Sequence, residues 1–292
     1  MPPTDNRYYQ IGGITIELKS DLPFRPNTFE PKFEAFRVDG PGDENITIHH
    51  HSSLPELGNM TLGREVRRQP PWAIYRNDNS WTYLGIMPEG NTHAPYRVAV
   101  FDNDHTHGDI YSASDSFDVS WHSLTFFPSD QIVLARTFAR RNACFVHSSG
   151  VAMNNAGLLF VGHCEAGKST IASLFQEHGE VLCDDRIVVR NWPDGLRIHG
   201  TWSHGDIPLV SPASAPLTAV FFLEKAKGNR LTLVDGKMDR VKHLLVCFVR
   251  PLVDTEWWDK MISLAEQIAD QTPCYRMEFD KSGEIRDLIS KL

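Results

Sequence analysis

Gly162-His163-Cys164-Glu165-Ala166-Gly167-Lys168-Ser169-Thr170 is the stretch on which the reading of this chain turns. The apolar run Leu158-Leu159-Phe160-Val161 precedes it, and Ile171-Ala172-Ser173-Leu174-Phe175, with helix-type spacing, follows it. Strand, then G-x-x-x-x-G-K-S, then helix is the context in which this pattern carries a mechanism. Glycines give the backbone the positive φ values it needs to close around phosphate oxygens. Amides at the helix start then point at those anions, with the positive end of the helix dipole behind them. The pattern predicts that residues 162–170 bind a nucleotide, with Lys168 bridging its β- and γ-phosphates and Ser169 ligating Mg²⁺.

Working outward, 292 residues suit one large domain or two of ordinary size. Composition is that of a globular protein, 41% hydrophobic and 23% charged. A formal charge of −8 with no compensating block of Lys or Arg argues against nucleic acid as the main partner. No apolar run approaches the roughly 20 residues of a membrane span, and the first residues lack the layout of a signal peptide. Cys144, Cys164, Cys183, Cys247 and Cys274 are scattered and odd in number, as suits reduced thiols. The expectation is a soluble, cytoplasmic, acidic protein with no membrane partner, and one that leaves room for a homo-oligomer.

Residues 1–124 read as a β-rich N-terminal domain serving substrate or partner recognition. Gly13-Ile14-Thr15-Ile16-Glu17-Leu18 alternates with period two, and Phe33–Val38 and Ile46–His49 look similar. Trp72–Arg76, a turn at Asn77–Ser80 and Trp81–Ile86 predict a hairpin, and Tyr96–Phe101 another strand. Turn residues punctuate these runs as in a sheet of short antiparallel strands. His49-His50-His51 lies on a strand, where neighbours point to opposite faces, so at most two of the three could meet one metal. Asp102-Asn103-Asp104-His105-Thr106-His107-Gly108-Asp109 reads as a polar turn between strands, and neither histidine group meets the ligand spacing of a known metal site, so both read as structural.

Pro128-Ser129-Asp130 predicts a helix start, with Ser129 as N-cap. A boundary near residue 125 leaves 125–292 as a second, ATP-binding catalytic domain. In it, strand Ala143–Val146 delivers His147 beside the phosphate-loop pattern. Glu180-Val181-Leu182-Cys183 is a short strand ending in Asp184-Asp185. Paired carboxylates at a strand end suit a Mg²⁺ ligand and a base, because a divalent cation offsets their mutual repulsion. Residues 201–216 read as a loop forming a mobile wall over the site. Ala219–Leu223 reads as a strand buried on both faces, and Trp257-Trp258 as core packing on an amphipathic helix. Arg230 reads as a solvated turn arginine.

Asp184 follows Lys168 by 16 residues. That interval, with His147-Ser148-Ser149-Gly150, Gly162–Thr170 and Val181–Asp185, resembles the HPr kinase/phosphorylase family, in its broader HPr kinase-like membership. The likeness continues in His199-Gly200-Thr201-Trp202 and in Ser214–Leu217 leading into Phe221–Glu224, and it spans about residues 121–292. It implies an α/β (α+β) P-loop kinase core of the HPr kinase C-terminal and PEP carboxykinase-like type behind the β-rich N-terminal domain. Catalytic residues would be Asp184, Asp185, His147 and Lys168. The family likeness gives Asp184 the acceptor's proton and Asp185 the metal with Ser169, although sequence alone does not separate those two roles.

The expected activity is transfer of the ATP γ-phosphoryl group, with Mg²⁺, to an unidentified hydroxyl on a peptide, a protein or a small molecule. Cys164-Glu165 stands where such kinases usually carry Ser-Gly, and the Glu165 carboxylate near the phosphate cradle favours the rival expectation. That rival is an ATP-binding regulatory module without transfer; an ordinary P-loop ATPase is a third reading.

Overall fold

A computed structural model of the protein describes residues 6–87, 95–125, 129–253 and 256–292. The chain is a mixture of α and β structure in which two large sheets outweigh the helices. It divides into two compact units, up to Thr137 and from Phe138 onward. None of the described helices is long and apolar enough to cross a membrane.

In the first unit, β1 (Arg7–Ile11), β2 (Ile14–Ser20), β3 (Arg37–Val38), β4 (Asn45–His51) and β5 (Arg64–Gln69) are followed by β6 (Trp72–Arg76), β7 (Ser80–Gly85), β8 (Arg97–Asp102) and β9 (His107–Ser112). They form one sheet in the order β3-β1-β2-β4-β9-β8-β7-β6-β5. The Asn77–Ser80 turn closes the predicted β6–β7 hairpin, the Asn77 side-chain oxygen accepting from the amides of Asn79 and Ser80.

The purely antiparallel expectation does not hold. β2 pairs with β4, and β4 with β9, in parallel, so three strands end side by side at their carboxyl ends. The segments between these strands are long enough for the crossovers that parallel pairing requires. The strand expected over Phe33–Val38 is instead a 3-10 turn, Pro31–Phe36, with only Arg37–Val38 extended. Pro31 fixes the first φ of that turn, and Phe33 and Phe36, three apart, both reach the interior. There Phe33 meets Tyr9 and Phe29 edge to face, and Phe29 meets Trp121 in the same way.

At the far edge of this sheet β5, Arg-Glu-Val-Arg-Arg-Gln, is exposed along most of its length and slips register between Glu65 and Arg67. Helix α1 (Ser129–Ala139) then carries the chain to the second unit. Pro128, part of the predicted helix start, lies outside the described residues.

The second unit contains β10 (Ala143–Met153), β11 (Ala156–Val161), α2 (Lys168–Phe175), β12 (Glu180–Cys183), β13 (Arg186–Trp192), β14 (Gly195–His199) and β15 (Ser214–Lys225). β16 (Arg230–Leu233), α3 (Lys237–Leu245), α4 (Glu256–Gln271), β17 (Cys274–Phe279) and α5 (Ile285–Ile289) complete it. Two long strands change partner partway along. β10 pairs with β13 through His147, then with β11 from Ser148. β15 pairs with β14 through Pro216, then runs parallel to β11 and β17.

Side chains alternate across this sheet as period two demands. Leu159, Val161, Val220 and Phe222 join Trp257, Met261, Leu264 and Ile268 of α4 in one core cluster. Leu158, Phe160, Ala219 and Phe221 join Ile171 and Phe175 of α2 and Ile285 and Ile289 of α5 in another. The sheet is thus covered on both faces, and the Ala219–Leu223 run is buried on both, as its continuous apolar sequence predicts. Trp257 is buried within the first cluster, whereas Trp258 is exposed. Arg230, also exposed, pairs with Glu278 across β16 and β17.

Candidate functional site

Register brings three separate stretches of the second unit together. Ser148 lies opposite Val161, so His147 on β10 stands just beyond the end of β11, and its carbonyl accepts from the Gly162 amide at 3.3 Å. His147 is also opposite Arg186, the residue that follows Asp184-Asp185. The Ser148 amide donates to the Asp185 carbonyl at 3.1 Å, pinning the end of β12 to the same place.

The loop from Gly162 to Gly167 leaves β11 and turns into α2. His163, Cys164 and Glu165 are exposed at its crest, and Ser169 and Thr170 are half-buried in the first turn of the helix. Gly167 caps the helix at φ 103°, a conformation L side chains rarely adopt. A Cβ there would also lie 2.6 Å from the Phe279 ring. Glu165 takes φ 65° without being glycine, a left-handed conformation that costs on the order of 1 kcal/mol.

Lys168 is buried, and its ammonium donates to the carbonyls of Gly162 at 3.1 Å and His163 at 2.8 Å. It therefore folds back over the loop that would cradle phosphate.

The two aspartates sit in different surroundings. Asp184 is 1% exposed, and its carboxylate accepts from the Gly205 amide at 2.6 Å and the Ile207 amide at 3.1 Å. Asp185 keeps a quarter of its side chain exposed. One of its oxygens pairs with the Arg186 guanidinium at 2.9 Å, and the other is 4.0 Å from His147 Nδ1. Burial, and after it the Arg186 guanidinium, lower the His147 imidazole below its ordinary pKa. Asp185 opposes that shift, while Lys168 and His163 add to it. The balance favours the neutral form of His147.

The wall expected over 201–216 is shorter than predicted, because β15 already begins at Ser214. The rest is stitched down rather than loose. Thr201 Oγ1 donates to the Arg186 carbonyl at 2.6 Å, the Cys183 thiol donates to the Ser203 carbonyl, and the Ser211 amide donates to Leu182. At Gly200 a Cβ would fall 1.8 Å from the Ser211 carbonyl oxygen, so only glycine lets the two ends of this loop close on each other.

Sequence reasoning passed over Arg186. Its role depends on the β10–β13 register, which leaves no local mark in the chain.

The Ser169 hydroxyl and the Asp185 carboxylate are hard oxygen donors of the kind Mg²⁺ takes. The buried Lys168 ammonium and the N-terminus of α2 lie at the same end of the loop. Set against known proteins, the chain matches no protein-family model, and no curated protein matches it.

Proposed function

We propose that the chain is an ATP-dependent kinase of the HPr kinase-like type, acting on a hydroxyl acceptor. The reading is carried by the convergence of Gly162 and Asp185, just past the ends of β11 and β12, on His147, where β10 changes partner. The acceptor is a serine of a protein or peptide, or a small hydroxylated molecule.

Loop amides and Lys168, on leaving the carbonyls of Gly162 and His163, neutralise the β- and γ-phosphates. Ser169 and Asp185 would hold Mg²⁺, which supplies further neutralisation of phosphate charge. The acceptor oxygen bonds to the γ-phosphorus as the bond to the β–γ bridging oxygen breaks, and ADP departs. The acceptor's proton passes to the pair formed by His147 and the Asp185 oxygen that faces it. This assignment differs from the one the family likeness implies. Asp184 is enclosed and both its oxygens already accept backbone amides, which suits it to holding residues 203–207 in place.

Paired variants test the reading. Asp185→Asn is expected to lower transfer by about 10²- to 10⁴-fold while ATP affinity changes little. Asp184→Asn is expected to cost about 1–3 kcal/mol of stability with transfer largely kept. The reverse pattern would return the base to Asp184. A second reading, an ATP-binding module without transfer, draws on the strained and exposed Glu165 at the loop crest. Tight Mg-ATP binding with no transfer to any acceptor would establish it, and rapid acceptor-independent hydrolysis would mark an ATPase instead.

A further inference from the structure

The first unit holds a second cluster of chemistry, at the carboxyl ends of the parallel strands β2, β4 and β9. His49 and His51, two apart on β4, share a face of the sheet. Asp21 follows the last residue of β2, and its amide continues the ladder to the His50 carbonyl at 3.0 Å. Asp109 on β9 is opposite His49 in register. His50, on the other face, is buried, with Nε2 2.8 Å from the Leu124 carbonyl oxygen.

The Asp21 carboxylate faces both imidazoles. One oxygen is 3.0 Å from His49 Nε2 and the other 3.3 Å from His51 Nδ1. A tetrahedral Zn²⁺ with ligands at about 2.0–2.1 Å places neighbouring donor atoms about 3.3 Å apart. One donor atom from each residue lies within 4.8 Å of those of the other two.

Two further features point to a cation. Although His49 Nε2 is so close to Asp21, it is buried and makes no hydrogen bond, because the two groups are not aimed at each other. Donor atoms directed at a shared third point have that arrangement. His51, for its part, is flanked by two carboxylates, with Nε2 3.0 Å from Asp109 and Nδ1 turned to Asp21. A neutral imidazole has one N–H. If Nε2 donates to Asp109, the Nδ1 lone pair faces an oxygen, a repulsion that a metal ion between them removes.

The surroundings are those of a prepared ligand set. Asp109, 3.0 Å from His51 Nε2, stands where a supporting carboxylate stands behind a metal-bound histidine. The Tyr111 ring stacks on His51 at 4.5 Å and 14°, holding its plane. The Ser52 amide donates to Asp21 at 3.2 Å.

We propose that His49 Nε2, His51 Nδ1 and the Asp21 carboxylate form a site for a divalent transition ion of the zinc type, with Asp109 as its supporting carboxylate. Two imidazole nitrogens with one carboxylate favour such an ion over Mg²⁺ or Ca²⁺. Three protein ligands leave a fourth position open to water or to an anionic group of a bound molecule.

The test is calorimetric titration of the chelator-stripped full chain with Zn²⁺ and, separately, Mg²⁺. One Zn²⁺ per chain is expected, with no comparable Mg²⁺ binding at this site. His49→Gln with His51→Gln should weaken Zn²⁺ binding by at least about 100-fold, and Asp109→Asn by about 10- to 100-fold. His107→Gln, on an exposed histidine outside the cluster, should leave it unchanged. Circular dichroism and melting without metal identify any variant that fails to fold. Asp21→Asn, at a half-exposed carboxylate, provides an independent ligand deletion. Co²⁺ bound in place of Zn²⁺ should give the visible spectrum of a tetrahedral ion. Absence of stoichiometric Zn²⁺ binding, or binding that survives in folded ligand variants, would overturn the proposal.

Discussion

The two units assemble their reactive side chains differently: in the second they meet beside the ends of β11 and β12, where β10 changes partner, and in the first they stand at the carboxyl ends of the parallel strands β2, β4 and β9. In the second unit, most of the proposed phosphate site is contiguous, running from Gly162 to Thr170, with His147 and Asp185 drawn in by register. In the first unit the ligands come from positions 21, 49 and 51, with support from 109, and no two neighbours in sequence take part. A contiguous site survives as a pattern in the chain. A dispersed one exists only once a sheet has fixed which strands run beside each other.

Acid should expose the weakness the two units share, and with the largest effect. His105 in the first unit is buried, its pKa lowered to about 3 by burial and then by Arg136. Burial, then Arg197 and Arg190, lower His199 in the second unit to about 4. Both values lie below that of the unfolded chain, about 6.5. As pH falls below that value the unfolded state binds protons that the folded state refuses, so stability is lost toward pH 4. Each histidine contributes up to about 1.4 kcal/mol per pH unit. Hydrogen exchange between pH 6.5 and 4.5, with chelator present, should show protection falling in both units. Loss in one unit alone would mean that the other does not depend on its buried histidines, which in the first unit include His50, also lowered to about 3.

Gly167→Ala strikes only the contiguous site. The positive φ and the contact with Phe279 should cost about 2–3 kcal/mol, read as a lower melting temperature or a comparable loss of nucleotide affinity. Zn²⁺ binding should be untouched. A variant that weakened both ligands equally would erase the distinction between the sites.

Glu165→Gly should have the smallest effect. Relief of the left-handed strain should stabilise the protein by about 1 kcal/mol, and removal of the carboxylate should tighten ATP binding. Looser ATP binding would mean that the Glu165 carboxylate takes part in holding the ligand.

What could be read from the chain follows the same division. β11, the loop and α2 were legible because apolar period, glycines and helix spacing all lie within about twenty consecutive residues. The β15 run was legible because both its faces are buried. β1 and β5 were missed. In β5, Arg-Glu-Val-Arg-Arg-Gln has no apolar face to signal a strand. Phe33 and Phe36 were read with period two, when their spacing of three and the preceding Pro31 describe a 3-10 turn.

The period of two places at most two residues of the histidine run on one face, as β4 does with His49 and His51, and Asp21 comes beside them only through a parallel pairing that the antiparallel expectation left out. Sequence alone does not separate the roles that the family likeness assigns to Asp184 and Asp185. Only the amides of Gly205 and Ile207, some twenty residues further on, distinguish them.

The charged outermost strand bears on how copies of this protein behave at high concentration. An edge strand offers unpaired amides and carbonyls to any strand that can lie flat against it. On β5 three arginines and a glutamate, with a register slip that bends the backbone, make that template a poor one. At the opposite edge β3 is only two residues long. Both described edges of the nine-strand sheet are therefore poor templates, and on this sheet strand addition between crowded molecules has little to build on.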